Sequence, residues 1–146
     1  MQPYPHVYAA SAAGLPAGAV SVTSAGLPAL STAPPAEFDG PGDAWSPETL
    51  LIASIADCFL LTFRGVSRAA AFAWESLGCT VEGTLEREGG VTRFSRFQTR
   101  ATLTVARGAD QVKARELLSR AEKICLVANS LRGERALEIT IVEATG

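Results

Sequence analysis

The sequence predicts an α+β domain in which antiparallel sheet packs with two helices, and three observations carry this prediction. Residues 46–78 and 110–128 repeat apolar side chains at helical spacing. Residues 80–86 and 91–105 alternate apolar with polar side chains and meet at a Glu-Gly-Gly turn, as in an antiparallel hairpin. Too few strands alternate with helices for a doubly wound parallel sheet. We expect the element order β-β-α-β-β-α-β.

Length and composition favour a single domain spanning residues 1–146, with an N-terminal hairpin and loop (1–45) and a core (46–146). A chain of 146 residues, 47% of them hydrophobic, can fill a core. The net charge of −2 argues against a general affinity for nucleic acid or for an anionic membrane. All 13 Lys and Arg residues lie at or after Arg64, so the first 63 residues carry only acidic charges.

The N-terminal residues carry no basic side chain, which is not typical of a secretory signal. The most apolar run, 50–63, is interrupted by Asp57 and is too short to span a bilayer. We therefore expect a cytoplasmic protein. The three cysteines form neither a CxxC motif nor a cluster with histidine, so we expect no disulfide framework and no metal site. The one histidine, His6, is interpreted as a solvated side chain without a role.

The N-terminal region is predicted to form a β-hairpin followed by an exposed loop. Short candidate strands at 6–12 and 19–24 are joined through Gly14-Leu15-Pro16. Residues 31–44 contain turn-forming residues throughout, so we expect a loop that leads into the first helix.

The first helix is predicted over residues 46–78. Ser46 is a good N-cap, Pro47 suits the first helical position, and Glu48 complements the positive end of the helix dipole. Gly78 is expected to end the helix, because glycine tolerates the left-handed conformation. Four residues recur at spacings of four, three and four and therefore share one face: Leu51, Ile55, Cys58 and Thr62.

The hairpin and the second helix follow. Phe94 and Phe97 fall on opposite parities of the second strand, which predicts a bulge or a two-sided environment there. The arginines nearby, Arg93, Arg96 and Arg100, form either a nucleic-acid patch or, as we favour, ion pairs with glutamates of the facing strand. In the second helix Asp110 is the expected N-cap and Cys125 lies on the apolar stripe near the end, before a last strand around 137–141.

Cys58 is the first candidate catalytic residue, and its environment must favour the thiolate for it to react. The reactive form is the thiolate, of which an ordinary thiol contains only a few per cent at neutral pH. Cys58 lies about three turns into its helix, where the dipole effect has faded. We therefore expect a cation to activate it. Neither Arg64 nor Arg68 falls on the face of Cys58, so this cation must come from elsewhere in the fold or from a second chain.

Two segments are similar to those of a known family. The helix opening SPETLLIASIADCF, with Glu48 ten residues before Cys58, and the later KICLVANSL with Cys125 together resemble the OsmC/Ohr family of organic hydroperoxide reductases. The resemblance covers residues 46–141 and includes the order of elements. It implies antiparallel sheets wrapped around two central helices, in an intertwined homodimer with both active sites at the interface.

The resemblance also implies an activity, that of a thiol peroxidase in the response to oxidative stress. Cys58 would attack an organic hydroperoxide and become a sulfenic acid, and Cys125 would condense with it to a disulfide. An external dithiol, lipoyl-type or small, would restore both thiols. No bound cofactor is implied. Cys79 has no counterpart in the family pattern and is interpreted as structural.

Glu48 is the third candidate site residue. Ten residues of helix separate it from Cys58 by roughly 15 Å, too far for direct contact. If Glu48 serves the site, it most simply does so from the partner chain, with the two long helices antiparallel. Its other interpretation is that of a favourable first-turn residue.

The chain departs from the family pattern in two ways. The family usually has an arginine in its N-terminal strands that pairs with the glutamate, and here no arginine precedes Arg64. The candidate substitutes are Arg96, Arg93 and Arg64. The family motif commonly reads Cys-Pro, whereas Leu126 follows Cys125. The first departure supports an alternative function: a divergent member with poorly activated thiols that binds an apolar ligand at the dimer interface without turnover.

Overall fold

The structure, a computed structural model, describes residues 1–145. Two compact units divide the chain, one ending at Leu51 and the other beginning at Ile52. The elements are as follows: β1 (Ser11–Ala13), β2 (Val20–Thr23), β3 (Leu30–Thr32), a 3-10 turn (Ala36–Phe38), α1 (Pro47–Ala69), β4 (Ser76–Glu88), β5 (Val91–Val105), α2 (Gln111–Ile124), α3 (Leu126–Asn129) and β6 (Glu134–Glu143).

The first unit contains a three-stranded antiparallel sheet in the order β1-β2-β3. The predicted hairpin is confirmed in its second strand, while β1 is only three residues long. The prediction of a loop from residue 31 is wrong at its start. There β3 pairs with β2, and Thr32 is buried and donates a hydrogen bond to the Val20 carbonyl. A three-residue strand is too short to show an alternating pattern, which is why the sequence concealed it.

The start of α1 follows the prediction. The Ser46 hydroxyl accepts a hydrogen bond from the Thr49 N–H at 3.1 Å, and the Thr49 hydroxyl accepts one from the Ser46 N–H at 2.9 Å. This reciprocal pair satisfies two backbone donors that a helix start leaves unpaired. Ser46 is therefore confirmed as the N-cap.

The end of α1 was predicted wrongly. The helix stops at Ala69, and Gly78 lies inside β4. The stop is made by Ala71, a non-glycine residue with a φ of 51°, and the chain turns back so that the Phe72 N–H donates to the Ser67 carbonyl at 2.9 Å. Trp74 holds the turn through a hydrogen bond to the Ser67 hydroxyl. Tertiary packing has overridden the local preference of alanine.

The second unit contains a sheet in the order β4-β5-β6. The strands β4 and β5 form the expected antiparallel hairpin, but β6 runs parallel to β5. The expectation of a wholly antiparallel sheet is therefore wrong. The chain crosses from β5 to β6 through α2 and α3, a connection of the kind that parallel strands require.

The predicted bulge is confirmed. The register of the β4–β5 hairpin shifts between Thr84 and Leu85, which pair with Arg96 and Phe94 and leave Ser95 as the extra residue. The ring centroids of Phe94 and Phe97 then lie 5.6 Å apart. An extra residue reverses the side on which the following side chains point, so both rings reach the same cluster.

The core of the second unit packs helix faces against β5 and β6. Asp110 caps α2 as predicted, accepting from the Lys113 N–H at 2.9 Å. The largest cluster joins buried residues of α1, β5 and α2: Phe59, Phe63, Val66, Ala101, Leu103, Val105, Ala114, Leu117, Leu118 and Ala121. The cross-strand ion pairing that we favoured is present between Arg100 and Glu82, at 2.9 Å.

Within residues 1–145, α1 is the one helix that is long and apolar enough to cross a membrane by length and composition. The expectation concerned the run 50–63, and the helix that contains it meets the length criterion because it extends on both sides of that run. Core helices of soluble proteins meet the same criteria, and five residues of α1 are buried.

Candidate active site

Cys58 and Cys125, 67 positions apart in the chain, meet in the second unit. Cys125 belongs to the buried cluster against which Cys58 packs, and a hydrogen bond from the Cys125 thiol is one of the causes that lower the pKa of Cys58. On the other side the Cys58 sulfur lies 3.8 Å from the Thr62 hydroxyl, one helical turn further along α1. The structure thus brings together the two cysteines that the sequence singled out.

Cys125 lies between two helices, at the point where α2 has ended and α3 has not begun. Its backbone is extended, with φ −61° and ψ 107°, and its side chain is only 1% exposed. The predicted single helix through residue 128 is therefore broken at Cys125. Leu126 and Val127 open α3, and their N–H groups both lie within hydrogen-bonding reach of the Cys58 sulfur.

The surroundings of Cys58 favour its thiolate. Burial alone raises its pKa, but hydrogen bonds from the Val127 N–H, the Cys125 thiol, the Thr62 hydroxyl and the Leu126 N–H together outweigh burial and leave the pKa below its usual value. These donors are all uncharged. No charged group of this chain is among the causes of the lowered pKa, so within the described residues the donors that replace the expected cation are neutral.

Cys125 shows the opposite shift. Burial, and after it the hydrogen bond and the charge of the neighbouring Cys58, raise its pKa to about 11. Of the two thiols, Cys58 is therefore the one that ionises first, while Cys125 keeps its proton and donates it to the Cys58 sulfur.

An apolar cluster surrounds the pair. Cys125 belongs to a buried group with Ile55, Val81, Phe97 and Ala128. Packed against this group are partly buried side chains, namely Ile52, Ala56, Cys58, Phe94, Val127 and Leu131. A methyl group at Gly83 would lie 2.9 Å from the Phe94 ring, so the absence of a side chain there allows this close packing.

Cys79 interacts with other residues than Cys58 and Cys125 do. Its thiol donates to the Ala56 carbonyl at 3.4 Å. Burial raises the pKa of Cys79, and the charge of Asp57 raises it further. This environment agrees with the structural role predicted for Cys79.

Glu48 belongs to the first unit. It lies in the first turn of α1, and it lines an apolar cavity of about 360 Å³ that β2, β3 and the following loop also line. Its Oε2 atom is buried and has no hydrogen-bond partner within residues 1–145. A buried carboxylate oxygen without a donor is costly, so this atom calls for a partner.

The candidate substitute cations are surface residues. Arg64, Arg93 and Arg96 are all exposed, and Arg96 donates to the Gln98 side chain at 3.3 Å. No group of three or more His, Cys, Asp and Glu side chains that could hold a metal ion occurs in the described part of the chain.

The sequence pattern did not reveal the backbone donors at the α2–α3 junction. The N–H groups of Leu126 and Val127 reach Cys58 because the helix breaks, and the apolar repeat continues across the break without interruption. Next to this break Arg135 donates to the Glu122 carbonyl and Asn129 to the Lys123 carbonyl, and neither residue stands out in the sequence. Asn129 is of a residue type that often follows a helix end, and it is the one local signal of a helix end near this junction.

These observations define a class of protein: an α+β fold that brings two cysteine thiols together in one apolar cluster. A family model described as OsmC-like protein matches residues 40–141. The chain belongs to this OsmC-like family, which has a peroxide-related redox role.

Known proteins agree with this assignment. The structure of the organic hydroperoxide resistance protein OsmC from Legionella pneumophila is similar with a TM-score of 0.72 and 27% identity, over 96% of this chain and 99% of that one. An OsmC-like protein of unknown function from Vibrio cholerae has the same fold, with a TM-score of 0.84 and 16% identity, over 92% and 99%. The uncharacterized protein YmaD of Bacillus subtilis is 25% identical over 108 residues, 72% of each chain.

Proposed function

We propose that this protein is a thiol-dependent peroxidase that reduces organic hydroperoxides through Cys58 and Cys125. The observation that carries the proposal is that Cys58 packs against the buried cluster containing Cys125, with the pKa values of the two thiols shifted in opposite directions. One thiol is prepared to attack, and the other is held in contact with it. The similarity to the hydroperoxide resistance protein from Legionella pneumophila supports the choice of substrate.

In the first step the Cys58 thiolate attacks one oxygen of the hydroperoxide. The O–O bond breaks, a sulfenic acid forms on Cys58, and the alcohol leaves with one proton taken up. The apolar side chains around the pair suit a hydroperoxide with an apolar tail.

In the second step Cys125 attacks the sulfenic sulfur. An S–S bond forms, the S–O bond breaks, and water leaves. The negative charge on Cys58 is one cause of the raised pKa of Cys125, and oxidation of Cys58 removes that charge. Cys125 therefore becomes easier to ionise when its attack is required.

The cycle closes by thiol–disulfide exchange. An external dithiol, lipoyl-type or small, passes two electrons to the Cys58–Cys125 disulfide and becomes a disulfide itself. The chemistry needs no metal and no bound cofactor.

The working form in this proposal is a cytoplasmic homodimer. The buried and unpartnered Oε2 of Glu48 supports this part, because a donor from a second chain would relieve its cost. Glu48 then acts at the site of the partner chain, which makes dimerisation a condition of activity.

Titration of the free thiols tests the proposal. The reduced protein is mixed with an alkyl hydroperoxide under single-turnover conditions, across protein concentrations that span dissociation of the dimer. We expect rapid loss of two thiols in the parent, one in Cys125→Ser and none in Cys58→Ser. The matched control is Cys79→Ser, which should still lose two.

The result that contradicts the proposal is reaction no faster than that of a free cysteine. The alternative function, binding of an apolar ligand at the dimer interface without turnover, then becomes the better explanation. A full rate in the monomer would instead contradict the role of Glu48 and leave the two-cysteine cycle in place.

A further inference from the structure

The α2–α3 junction contains two backbone carbonyls that a continuous helix would use differently. In an α-helix each N–H donates to the carbonyl four residues earlier. The Leu126 N–H would then donate to Glu122, and the Val127 N–H to Lys123. Leu126 is not proline, so both N–H groups are available, and the apolar repeat favours continuing the helix through them.

Side chains occupy both carbonyls instead. The Arg135 guanidinium, on β6, donates through Nη2 to the Glu122 carbonyl. The Asn129 amide donates through Nδ2 to the Lys123 carbonyl at 3.1 Å. The Glu122 carbonyl also accepts from the Cys125 N–H at 3.4 Å, so Arg135 shares it with the last turn of α2, while Asn129 takes the Lys123 carbonyl.

Arg135 also fixes the side chains around it. Its Nε lies 2.6 Å from Glu122 Oε1, and its Nη1 lies 2.6 Å from Asn129 Oδ1. The side chains of Arg135 and Glu122 are only 25% and 22% exposed, so solvent screens this ion pair less than a surface pair. Three nitrogens of one planar guanidinium thus hold both ends of the junction, which the point charge of a lysine could not do.

The N–H groups released by this arrangement are the ones that reach Cys58. Leu126 and Val127 follow the end of α2, and hydrogen bonds from their N–H groups are among the causes that lower the pKa of Cys58, which packs against the same buried cluster as Val127. The break that Arg135 and Asn129 maintain therefore places two donors at the reacting atom, and it gives Cys125 the extended backbone with which it faces Cys58.

We propose that Arg135 and Asn129 are positioning residues: by taking the carbonyls of Glu122 and Lys123, they hold the α2–α3 junction open and aim the Leu126 and Val127 N–H groups at Cys58. The inference rests on the proposed function only in taking Cys58 as the reacting thiol. Neither residue touches the sulfur. Their effect is transmitted through the backbone of the junction.

The test is the pH profile of Cys58 alkylation by iodoacetamide, followed at the level of the Cys58 peptide. In Arg135→Met we expect the midpoint to move to higher pH and the rate at neutral pH to fall about tenfold, the size of effect that loss of charge-assisted hydrogen bonds produces. Asn129→Ala, at an exposed position, should move the midpoint in the same direction by a smaller amount. Alkylation needs no hydroperoxide, so this result does not depend on turnover.

The matched control is Arg115→Met. Arg115 also links α2 to β6, through a hydrogen bond to the Ile139 carbonyl at 3.3 Å, but it lies away from the junction. In this variant the pH midpoint of Cys58 alkylation should stay unchanged. Arg135→Lys keeps the charge without the planar fork and should behave like Arg135→Met.

Two results would overturn the proposal. One is an unchanged pH profile in Asn129→Ala, whose fold is checked by circular dichroism, together with an unchanged profile in any folded Arg135→Met. The other is full restoration in Arg135→Lys, since charge alone would then account for the effect. If Arg135→Met does not fold, Asn129→Ala decides.

Discussion

Cys58 and Cys79 are both half-buried thiols of the second unit, and their pKa values shift in opposite directions. Burial opposes ionisation of both. Cys58 receives hydrogen bonds from two backbone N–H groups, a hydroxyl and a thiol. Cys79 donates its own proton to the Ala56 carbonyl and lies near the charge of Asp57.

The opposite pKa shifts of the two thiols therefore follow from the direction of their hydrogen bonds and not from their degree of burial. A donor stabilises the thiolate more than the thiol, whereas a carbonyl acceptor stabilises only the thiol. The cysteine that is surrounded by donors is the one expected to react.

The largest expected effect is the difference in reactivity between these two thiols. In the native protein at neutral pH, Cys58 should be alkylated at least about tenfold faster than Cys79, because the thiolate is the reacting form. Peptide mapping after brief treatment with iodoacetamide measures both rates in one sample. In urea the two rates should converge. Equal alkylation rates of Cys58 and Cys79 in the native protein would contradict the claim that hydrogen-bond donors make Cys58 the more reactive thiol.

A smaller effect is expected from removing one donor. Cys125→Ala deletes the thiol that donates to Cys58, so the pKa of Cys58 should rise and its alkylation at neutral pH should slow about three- to fivefold. Cys125→Ser retains a donor of similar size and should slow it less. If the alanine and serine variants have the same pH midpoint, the hydrogen bond between the two thiols contributes nothing to the activation of Cys58.

The smallest effect concerns Cys79. Asp57→Asn removes the charge that raises its pKa, so Cys79 should be alkylated about twofold faster, a modest gain because Asp57 is exposed and screened. Glu75→Gln, which removes an exposed charge from the turn before β4, serves as the control and should change little. A decrease in the Cys79 rate in Asp57→Asn would contradict the assigned cause.

Much of the site could be predicted because it depends on residue type and spacing. Cys58 and Cys125 were identified from two short segments, and the caps at Ser46 and Asp110 form as expected. The bulge at Phe94 was visible as a change of parity. These features are local, so a few neighbouring residues decide them.

The features that the sequence concealed depend on distant partners. The stop of α1 at Ala71 uses an alanine in a left-handed conformation, which only the surrounding packing can hold in place. The parallel pairing of β6 depends on the path of the whole connection from β5. The neutral donors to Cys58 could not be foreseen because they come from a backbone segment 68 positions away, at Leu126.

The sequence by itself therefore determined the class of fold, and its resemblance to a known family singled out Cys58 and Cys125, since periodicity and motif spacing are properties of the chain. Only the tertiary structure decided which thiol is activated and how. That outcome depends on where α2 breaks, and the break depends on Arg135, ten positions beyond Cys125 and on another element, reaching the Glu122 carbonyl. A hydrogen bond between distant segments has no signature in the local pattern of residues.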